Sequence, residues 1–141
     1  MKYVFISGII ILIGFVIALH FIPIGIEPLI EVYIENYTSL PKFIFSDRFY
    51  NFTFTVHNLE YKEMNYTYNV WAQYGNQTWQ INEVNFTLQN NQTSSFFEIF
   101  SLEKNFDKAK MIVNVKKDNN KTIDIDFLVE EIKGPTITIT P

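Results

Sequence analysis

The sequence predicts an all-β domain that follows one apolar helix, and three observations carry this prediction. From residue 49 onward, short runs alternate apolar and polar residues with a period of two, which is typical of half-buried strands. Clusters of Asn, Asp and Gly separate these runs at intervals of about 8–12 residues, as turns between short strands do. Only residues 4–26 form a long, almost wholly apolar stretch, and it contains no Lys, Arg, Asp or Glu.

The alternation assigns the apolar side chains of each run to one face of a sheet and the polar ones to the other. In the first run Phe52, Phe54 and Val56 face the core, while Asn51 and His57 face water. The same parity assigns to the core Met64, Tyr66, Tyr68, Val70, Ala72, Val84, Phe86, Leu88, Met111, Val113, Val115, Ile123, Ile125, Phe127 and Val129.

Turn residues mark the ends of the strands. Gly75-Asn76 separates two runs by two residues, which predicts a tight hairpin. Residues 101–110 predict either a longer crossover or a short helical turn. Polar clusters predict further turns at residues 58–63, 90–91 and 118–120. Trp71 falls on the polar parity of its run, and either a β-bulge or burial against a loop would explain it. About eight strands in roughly 95 residues predict an immunoglobulin-like antiparallel β-sandwich of about 7–9 strands.

The apolar segment at residues 4–26 has the length that a membrane crossing needs. A hydrocarbon core roughly 30 Å thick takes about 20 apolar residues as a helix. Lys2 precedes the segment and Glu27 follows it, so the positive-inside rule places the N-terminus in the cytoplasm. The sequence thus predicts a single-pass membrane protein with an extracellular C-terminal domain. Its predicted parts are a cytoplasmic end (1–3), a transmembrane anchor or uncleaved signal (4–26), the sandwich (27–132) and a strand-like tail (133–141). The tail has three interpretations: the last strand of the sandwich, a strand that pairs with another subunit, or an edge blunted by the terminal proline.

A cleaved signal peptide is the rival interpretation of the same segment. Val16-Ile17-Ala18 resembles a small-residue cleavage site, and the apolar run before it has an acceptable length. Cleavage there would leave residues 19–26 as an exposed apolar tail, which favours the uncleaved anchor. If cleavage does occur, the product would be a secreted extracellular filament or pilus subunit, assembled by donating a strand such as Thr136–Thr140.

Seven Asn-x-Thr triplets, the acceptor pattern for N-glycosylation, follow the apolar segment. They begin at Asn36, Asn51, Asn65, Asn76, Asn85, Asn91 and Asn120. The chain has 14 Asn, and 17 of its 141 residues are Ser or Thr, so chance pairing would give about two triplets. The excess predicts a glycosylated domain outside the cytoplasm. Three of the Asn take the outward parity of their strands and three take turns, so their glycans would leave the surface without crossing the core.

Composition excludes several classes of function. The chain has no Cys, which excludes a disulfide framework and a Cys nucleophile. Acidic residues outnumber basic ones after residue 26, and the dense Lys and Arg footprint of a nucleic-acid-binding protein is missing. A Cys-free chain rich in glycan acceptors fits an archaeal envelope protein better than an animal secretory protein.

No residue set predicts catalysis, a metal or a cofactor. His20 lies in the apolar segment, so a Ser-His-Asp site would have to use His57, which we interpret as a polar strand residue. Asp118, Asp124 and Asp126 lack the spacing and the glycine of a calcium loop, which favours a charged outer strand face. Most Phe and Tyr residues fall on core parity, and this favours core packing over carbohydrate stacking. We therefore expect a protein that is not an enzyme.

One stretch resembles a known family. A strand that ends in Val56-x-Asn58-x-Glu60 precedes a strand with a Tyr66-Thr67 core. This pattern resembles the exterior domain of an archaeal membrane-protein family, domain of unknown function 1616, over about residues 30–132. Members of that family carry several membrane helices before the domain, whereas this chain has one apolar segment. The resemblance implies a fold and an exterior location, and it implies no activity.

These expectations define one function and two alternatives. The first is a non-enzymatic, membrane-anchored, N-glycosylated cell-envelope protein that acts through protein–protein contacts. The second is the secreted filament subunit assembled by strand donation. The third is an accessory subunit of a membrane enzyme or transporter complex. The expected partners are a membrane, N-linked glycans and a protein partner or a homo-oligomer, but not nucleic acid.

Overall fold

Two β-sheets and one N-terminal helix make up the described part of the chain. The computed structural model describes residues 2–21, 29–103, 105–118 and 121–134. Within these ranges lie helix α1 (Lys2–Phe21), a 3-10 turn (Tyr37–Ser39) and eight strands. The strands are β1 (Leu29–Tyr33), β2 (Phe43–Ile44), β3 (Tyr50–Leu59), β4 (Met64–Tyr74), β5 (Gln77–Leu88), β6 (Thr93–Phe100), β7 (Lys108–Lys117) and β8 (Thr122–Glu131).

The eight strands form two facing sheets. The small sheet has the order β1-β3-β6, and the large sheet has the order β2-β8-β7-β4-β5. The pairing of β2 with β8 is parallel, and the other strand pairings are antiparallel. The predicted all-β sandwich is therefore confirmed, with a strand number inside the predicted range.

The core lies between the sheets, at positions that the alternation assigns to it. On β3 and β7 every predicted core residue is buried, namely Phe52, Phe54, Val56, Met111, Val113 and Val115. Aromatic rings then connect the two sheets. Phe54 of β3 meets Tyr68 of β4 edge-on with 5.0 Å between ring centroids, and Phe52 meets Phe127 of β8 at the same distance. Such contacts contribute about 0.5–1.5 kcal/mol each beyond the burial of the rings.

The β4–β5 hairpin forms at the predicted turn. Tyr74 pairs with Gln77 across Gly75-Asn76. Gly75 has a φ of +58°, a left-handed conformation that glycine adopts without the steric cost that a Cβ would impose. The two long strands that follow from this turn form one side of the large sheet.

A β-bulge interrupts the same hairpin beside Trp71. Val70 pairs with Asn82, but Trp71 pairs with Gln80, so β5 carries one extra residue. Trp71 nevertheless keeps the outward parity and is half-buried beside Ile112, its partner on β7. The bulge therefore leaves Trp71 facing outward, and Asn82 lies opposite the buried Val70 with the same inward parity as Val84, Phe86 and Leu88.

β6 reverses the expected pattern of polarity. Glu98 faces inward and is 4% exposed, whereas Phe97 and Ile99 face outward and are 61% and 54% exposed. The register with β3 sets this parity, because it places Phe96 opposite Phe54 and stacks the two rings at 5.3 Å. Because Glu98 lies two residues after Phe96, the Phe96–Phe54 contact also places the Glu98 side chain in the core.

The segment between β6 and β7 is a crossover from the small sheet to the large one. Its described residues, 101–103 and 105–107, contain no helix. The Asp47 amide donates to the Leu102 carbonyl and the Glu131 amide donates to the Asp107 carbonyl, both at 2.8 Å. Of the two predicted alternatives for this segment, the structure shows the longer crossover.

The prediction that residues 4–26 cross a membrane is wrong for the part of the chain that the structure describes. Helix α1 accounts for residues 4–21 of the predicted segment, and residues 22–26 lie outside the described ranges. No helix among the described residues is long and apolar enough to span a membrane. The predicted single-pass topology, with a cytoplasmic N-terminus and an extracellular C-terminal domain, is corrected accordingly.

Two further predictions concern residues outside the described ranges. The first covers the predicted acceptor Asn120 and the end of the predicted turn at residues 118–120. The second is the tail strand Thr136–Thr140. Both stay predictions.

The core assignment can be tested with a matched pair of substitutions on neighbouring strands. Phe54→Ala is expected to lower the free energy of unfolding by about 3–5 kcal/mol, because the ring is completely buried. Phe97→Ala removes the same ring from a position that is 61% exposed, and this should change the free energy of unfolding by less than about 0.5 kcal/mol. Urea titration followed by tryptophan fluorescence measures both, and equal losses would contradict the orientation of β6.

Candidate interaction surface and modification sites

The predicted glycan acceptors that the structure describes lie on the surface. Six are exposed, namely Asn36, Asn51, Asn65, Asn76, Asn85 and Asn91. Four of these lie on β4, on β5 or in the turns at the ends of β5, namely Asn65, Asn76, Asn85 and Asn91. Because β5 is an edge strand of the large sheet, the acceptors are concentrated at one side of the sandwich.

Two acceptor triplets face each other across β4 and β5. Asn65 pairs with Thr87, and Thr67 pairs with Asn85. The Thr87 hydroxyl donates to Asn65 Oδ1 at 2.7 Å, and the Thr67 hydroxyl donates to Asn85 Oδ1 at 2.6 Å. The Thr of each triplet therefore orients the Asn of the other. These bonds occupy Oδ1 and leave Nδ2, the atom to which an N-linked glycan is attached, available on the exposed face.

His57 lies on the outer face of the small sheet. Its Nδ1 lies 3.3 Å from Glu31 Oε2, and its Nε2 lies 3.0 Å from Asn91 Oδ1. The side chain thus connects β1, β3 and the turn before β6. Both ring nitrogens have polar neighbours, and the contacts describe a cross-strand link.

Asp124 and Asp126 lie on the exposed outer face of β8. Asn114 of β7 donates to Asp124 at 2.5 Å, and Lys110 of the same strand forms an ion pair with Asp126 at 3.5 Å. Asp118 is exposed after the end of β7. Within the described ranges, no three His, Cys, Asp or Glu side chains are grouped so that they could hold a metal ion.

A buried asparagine closes one end of the sandwich. Asn58 is completely buried, and its Nδ2 donates to the carbonyls of Lys62, Leu88 and Gln89 at 2.8, 2.9 and 3.0 Å. Its Oδ1 accepts from the Glu60 amide at 2.9 Å. These bonds join the turn after β3 to the turn after β5, so the Asn of the Val-x-Asn-x-Glu pattern has a structural role.

The Glu of the same pattern forms a buried ion pair. Lys117 Nζ contacts Glu60 Oε1, and the two side chains are only 3% and 5% exposed. Burial, and after it the positive charge of Lys121, lowers the pKa of the Lys117 ammonium. Removing one partner of a buried pair usually costs about 3–5 kcal/mol, so this pair is part of the fold.

A second buried polar cluster lies between β4, β5 and β6. The Tyr68 hydroxyl donates to Glu98 Oε1 at 2.5 Å, and Asn82 Nδ2 donates to both carboxylate oxygens at 3.2 and 3.1 Å. Burial, together with the hydrogen bond and the charge of Glu98, raises the pKa of Tyr68. The sequence did not reveal this cluster, because its members lie on three different strands.

Tyr66 is the unpaired counterpart of Tyr68. Both lie on the core face of β4, but the buried Tyr66 hydroxyl has no hydrogen-bond partner in the part of the chain that the structure describes. Burial raises its pKa to about 12. A buried hydroxyl without a partner loses its hydration without compensation.

An open groove of about 420 Å³ lies beside β8. It is lined by Tyr37, Leu40, Lys42, Phe43, Asp126, Phe127, Leu128 and Glu130, and we term it the β8 groove. Phe43, Leu128 and Tyr37 are 65%, 60% and 56% exposed. The Tyr37 hydroxyl donates to the Asp126 carbonyl at 2.7 Å and fixes one wall. Large apolar side chains that gather around an open groove are typical of an interaction surface.

Two other apolar surfaces have a glycan acceptor close by. Phe97 and Ile99 lie on the outer face of the small sheet, where Ile99 pairs with the acceptor Asn51. Tyr74 and Trp79 stack at 3.8 Å beside a smaller pocket of about 290 Å³, next to the turn that carries the acceptor Asn76.

Comparison with known proteins gives a likeness of fold only. No protein-family profile matches the chain, so the resemblance to domain of unknown function 1616 stays a prediction. No curated protein matches its sequence.

Solved structures share the sandwich. The sporulation control protein Spo0M of Bacillus subtilis superposes with a TM-score of 0.50 and 10% identity, over 74% of this chain and 49% of that chain. A β-glucosidase from Listeria innocua gives 0.54 and 16% identity, over 74% of this chain and 16% of that chain. The β-glucosidase EmGH1 of Erythrobacter marinus gives 0.53 and 4% identity over the same shares. The chain therefore matches half or less of each of these proteins.

The two tyrosines of β4 provide a matched test of the buried polar groups. Tyr66→Phe is expected to leave the free energy of unfolding unchanged or to raise it by about 1 kcal/mol, because it removes a hydroxyl that has no partner. Tyr68→Phe should lower it by about 1–3 kcal/mol, because it deprives the buried Glu98 carboxylate of a donor. Urea titration of both variants at pH 7 measures the difference, and a greater loss in Tyr66→Phe would contradict the assignment.

Proposed function

We propose that this chain is a non-enzymatic, N-glycosylated protein that acts through protein–protein contacts on a sandwich of immunoglobulin-like type. The observation that carries the proposal is the β8 groove, because it presents exposed Phe43, Leu128 and Tyr37 at one continuous surface. The cost of exposing such side chains to water is recovered when another chain covers them.

The order of the strands supports the immunoglobulin-like type. If β1, β3 and β6 are strands A, B and E, the small sheet has the order A-B-E. The strands β8, β7, β4 and β5 then take the places of G, F, C and C′ in the second sheet. Domains of this type commonly serve as binding modules, and the Cys-free core in this chain relies on aromatic contacts between the sheets.

The distribution of polar groups supports a role in binding. His57 links three segments, Glu60 pairs with Lys117, and Glu98 receives Tyr68 and Asn82. Each of these groups is engaged in holding strands or turns together. The groove, in contrast, has a largely apolar lining and exposed rings, which suits contact with another protein surface.

The positions of the predicted glycan acceptors indicate which side of the sandwich would remain free for protein contact. Glycans on β4, β5 and the turns at the ends of β5 would shield that side of the large sheet. The β8 groove lies toward the opposite edge of the same sheet. Asn36 is the described acceptor that lies next to a groove residue in sequence, since it precedes Tyr37.

Substitutions in the groove test the binding role. Phe43→Asp combined with Leu128→Asp is expected to abolish the co-purification of protein partners, including a differently tagged second copy, with the full chain in a gentle pull-down. Phe97→Asp combined with Ile99→Asp makes the same change of chemistry on the small sheet and should retain these partners. Circular dichroism confirms that both variants fold. Retention of the same partners by both variants would overturn the proposal.

Glycopeptide mapping tests the modification. Protein from its native source is expected to carry glycans at the exposed acceptors Asn36, Asn51, Asn65, Asn76, Asn85 and Asn91. The exposed Asn69 and Asn105 lie outside Asn-x-Thr triplets and serve as internal controls, which should remain unmodified. Absence of glycans from most of the acceptors would remove glycosylation from the proposed function.

A further inference from the structure

The edge of β8 is open at the beginning of the strand, before Asp126. The Glu130 amide donates to the Lys42 carbonyl and the Ile132 amide donates to the Ile44 carbonyl, both at 2.8 Å, so the even-numbered amides here point away from β7. Asp126 follows the same rule, because its carbonyl accepts the Tyr37 hydroxyl. The backbone groups of the even-numbered residues therefore line this edge.

β2 covers only the end of that edge. Its two residues pair with Glu130 and Glu131, and no other strand among the described residues pairs with this side of β8. The Tyr37 hydroxyl occupies the Asp126 carbonyl, so in the described part of the chain the backbone groups without a strand or side-chain partner on this side are those of Thr122–Ile125, next to the β8 groove. Ile123 and Ile125 are half-buried on the core face of the same stretch. Edges like this invite the addition of a strand unless another segment covers them.

The sequence supplies a segment of suitable length and pattern. Residues 135–141 lie outside the described part of the chain and read Pro-Thr-Ile-Thr-Ile-Thr-Pro. Thr136–Thr140 are β-branched residues that alternate in polarity, and proline at both ends limits the pairing to these five residues. In a strand, Ile137 and Ile139 would share one face and the Thr residues the other.

We propose that the open edge of β8 in one copy accepts Thr136–Thr140 of a second copy as an added strand. Ile137 and Ile139 then lie on the core side and cover the half-buried Ile123 and Ile125. The Thr side chains lie on the outer face with Asp124 and Asp126. The inference rests on the proposed function, and it names the partner as another copy of this chain.

The position of β2 favours a second copy over the chain's own tail. Ile132 is bonded to Ile44, so the chain leaves β8 alongside β2. Only Lys133, Gly134 and Pro135 lie between this bond and Thr136. To reach the open edge, the same chain would have to reverse and pass around β2 within these three residues. Donor and acceptor are different surfaces of each copy, so the contact repeats head-to-tail into a ring or an open chain.

Single cysteines provide a direct test, because the natural chain has none. Full-length tagged chain with Thr138→Cys is mixed with untagged chain that carries Thr122→Cys, Asp124→Cys or Asp126→Cys, under mild oxidation with oxidised glutathione. A disulfide needs Cα atoms about 4.4–6.8 Å apart, which neighbouring strands provide. Gln73→Cys, exposed on the outer face of β4, is the matched control. Asn36→Gln in both chains removes any glycan next to Tyr37.

The expected result is a tagged–untagged disulfide dimer with at least one β8 cysteine, at a yield on the order of tenfold above the Gln73→Cys control, since only adjacent strands meet the distance requirement. Equal yields overturn the inference. A chain with both Thr138→Cys and Asp126→Cys that closes an internal disulfide at high dilution also overturns it, because its own tail then occupies the edge.

The parity of the donated strand gives a second readout. Ile137→Gln with Ile139→Gln is expected to abolish the cross-linked dimer, because it places polar side chains on the core side. Thr136→Gln with Thr138→Gln, tested by size-exclusion chromatography of the cysteine-free chain, adds no charge beside Asp124 and Asp126 and should retain association. Association that persists without residues 135–141 but is lost in Phe43→Asp with Leu128→Asp would overturn the strand inference and leave the proposed function standing.

Discussion

The edge-on packing of aromatic rings between the two sheets is the contact on which the rest of the molecule depends. Phe54 meets Tyr68 and Phe52 meets Phe127, and no covalent bond supplements them because the chain has no Cys. Once these rings face inward, the parity of every residue on their strands is fixed, since a slip by one residue would turn each strand inside out. The positions of acceptors, charges and exposed rings on the surface follow from that constraint.

The same constraint explains where sequence reasoning succeeds and where it fails. Alternation within one strand suffices to orient Asn51 and Val113, because each strand carries its own polarity signal. It fails on β6, where the stacking of Phe96 on Phe54 draws Glu98 inside. It also misses the cluster of Tyr68, Asn82 and Glu98, since these side chains lie on three strands and meet only in the folded sandwich. Residues on other strands determine the orientation or the partners of these side chains, and the sequence of a single strand does not reveal them.

Buried polar groups mark the places where this sandwich departs from a purely apolar core. Asn58 and the Glu60–Lys117 pair connect strands and turns at one end of the sandwich, and the Glu98 cluster connects strands at the side next to β5. Such groups add less to stability than to the selection of one arrangement of strands, because any other register would leave them without partners. The β8 groove lies away from these clusters, so its exposed rings can be available for contact without weakening the fold.

The crossed pair of acceptor triplets on β4 and β5 couples two sites that a linear sequence would treat as independent. Thr67 completes the triplet of Asn65 and also holds the side chain of Asn85, while Thr87 does the reverse. A change at either threonine therefore deletes one acceptor and releases the other from its fixed orientation. In evolutionary terms the two triplets form one heritable unit, because the loss of either threonine by mutation affects both predicted acceptors.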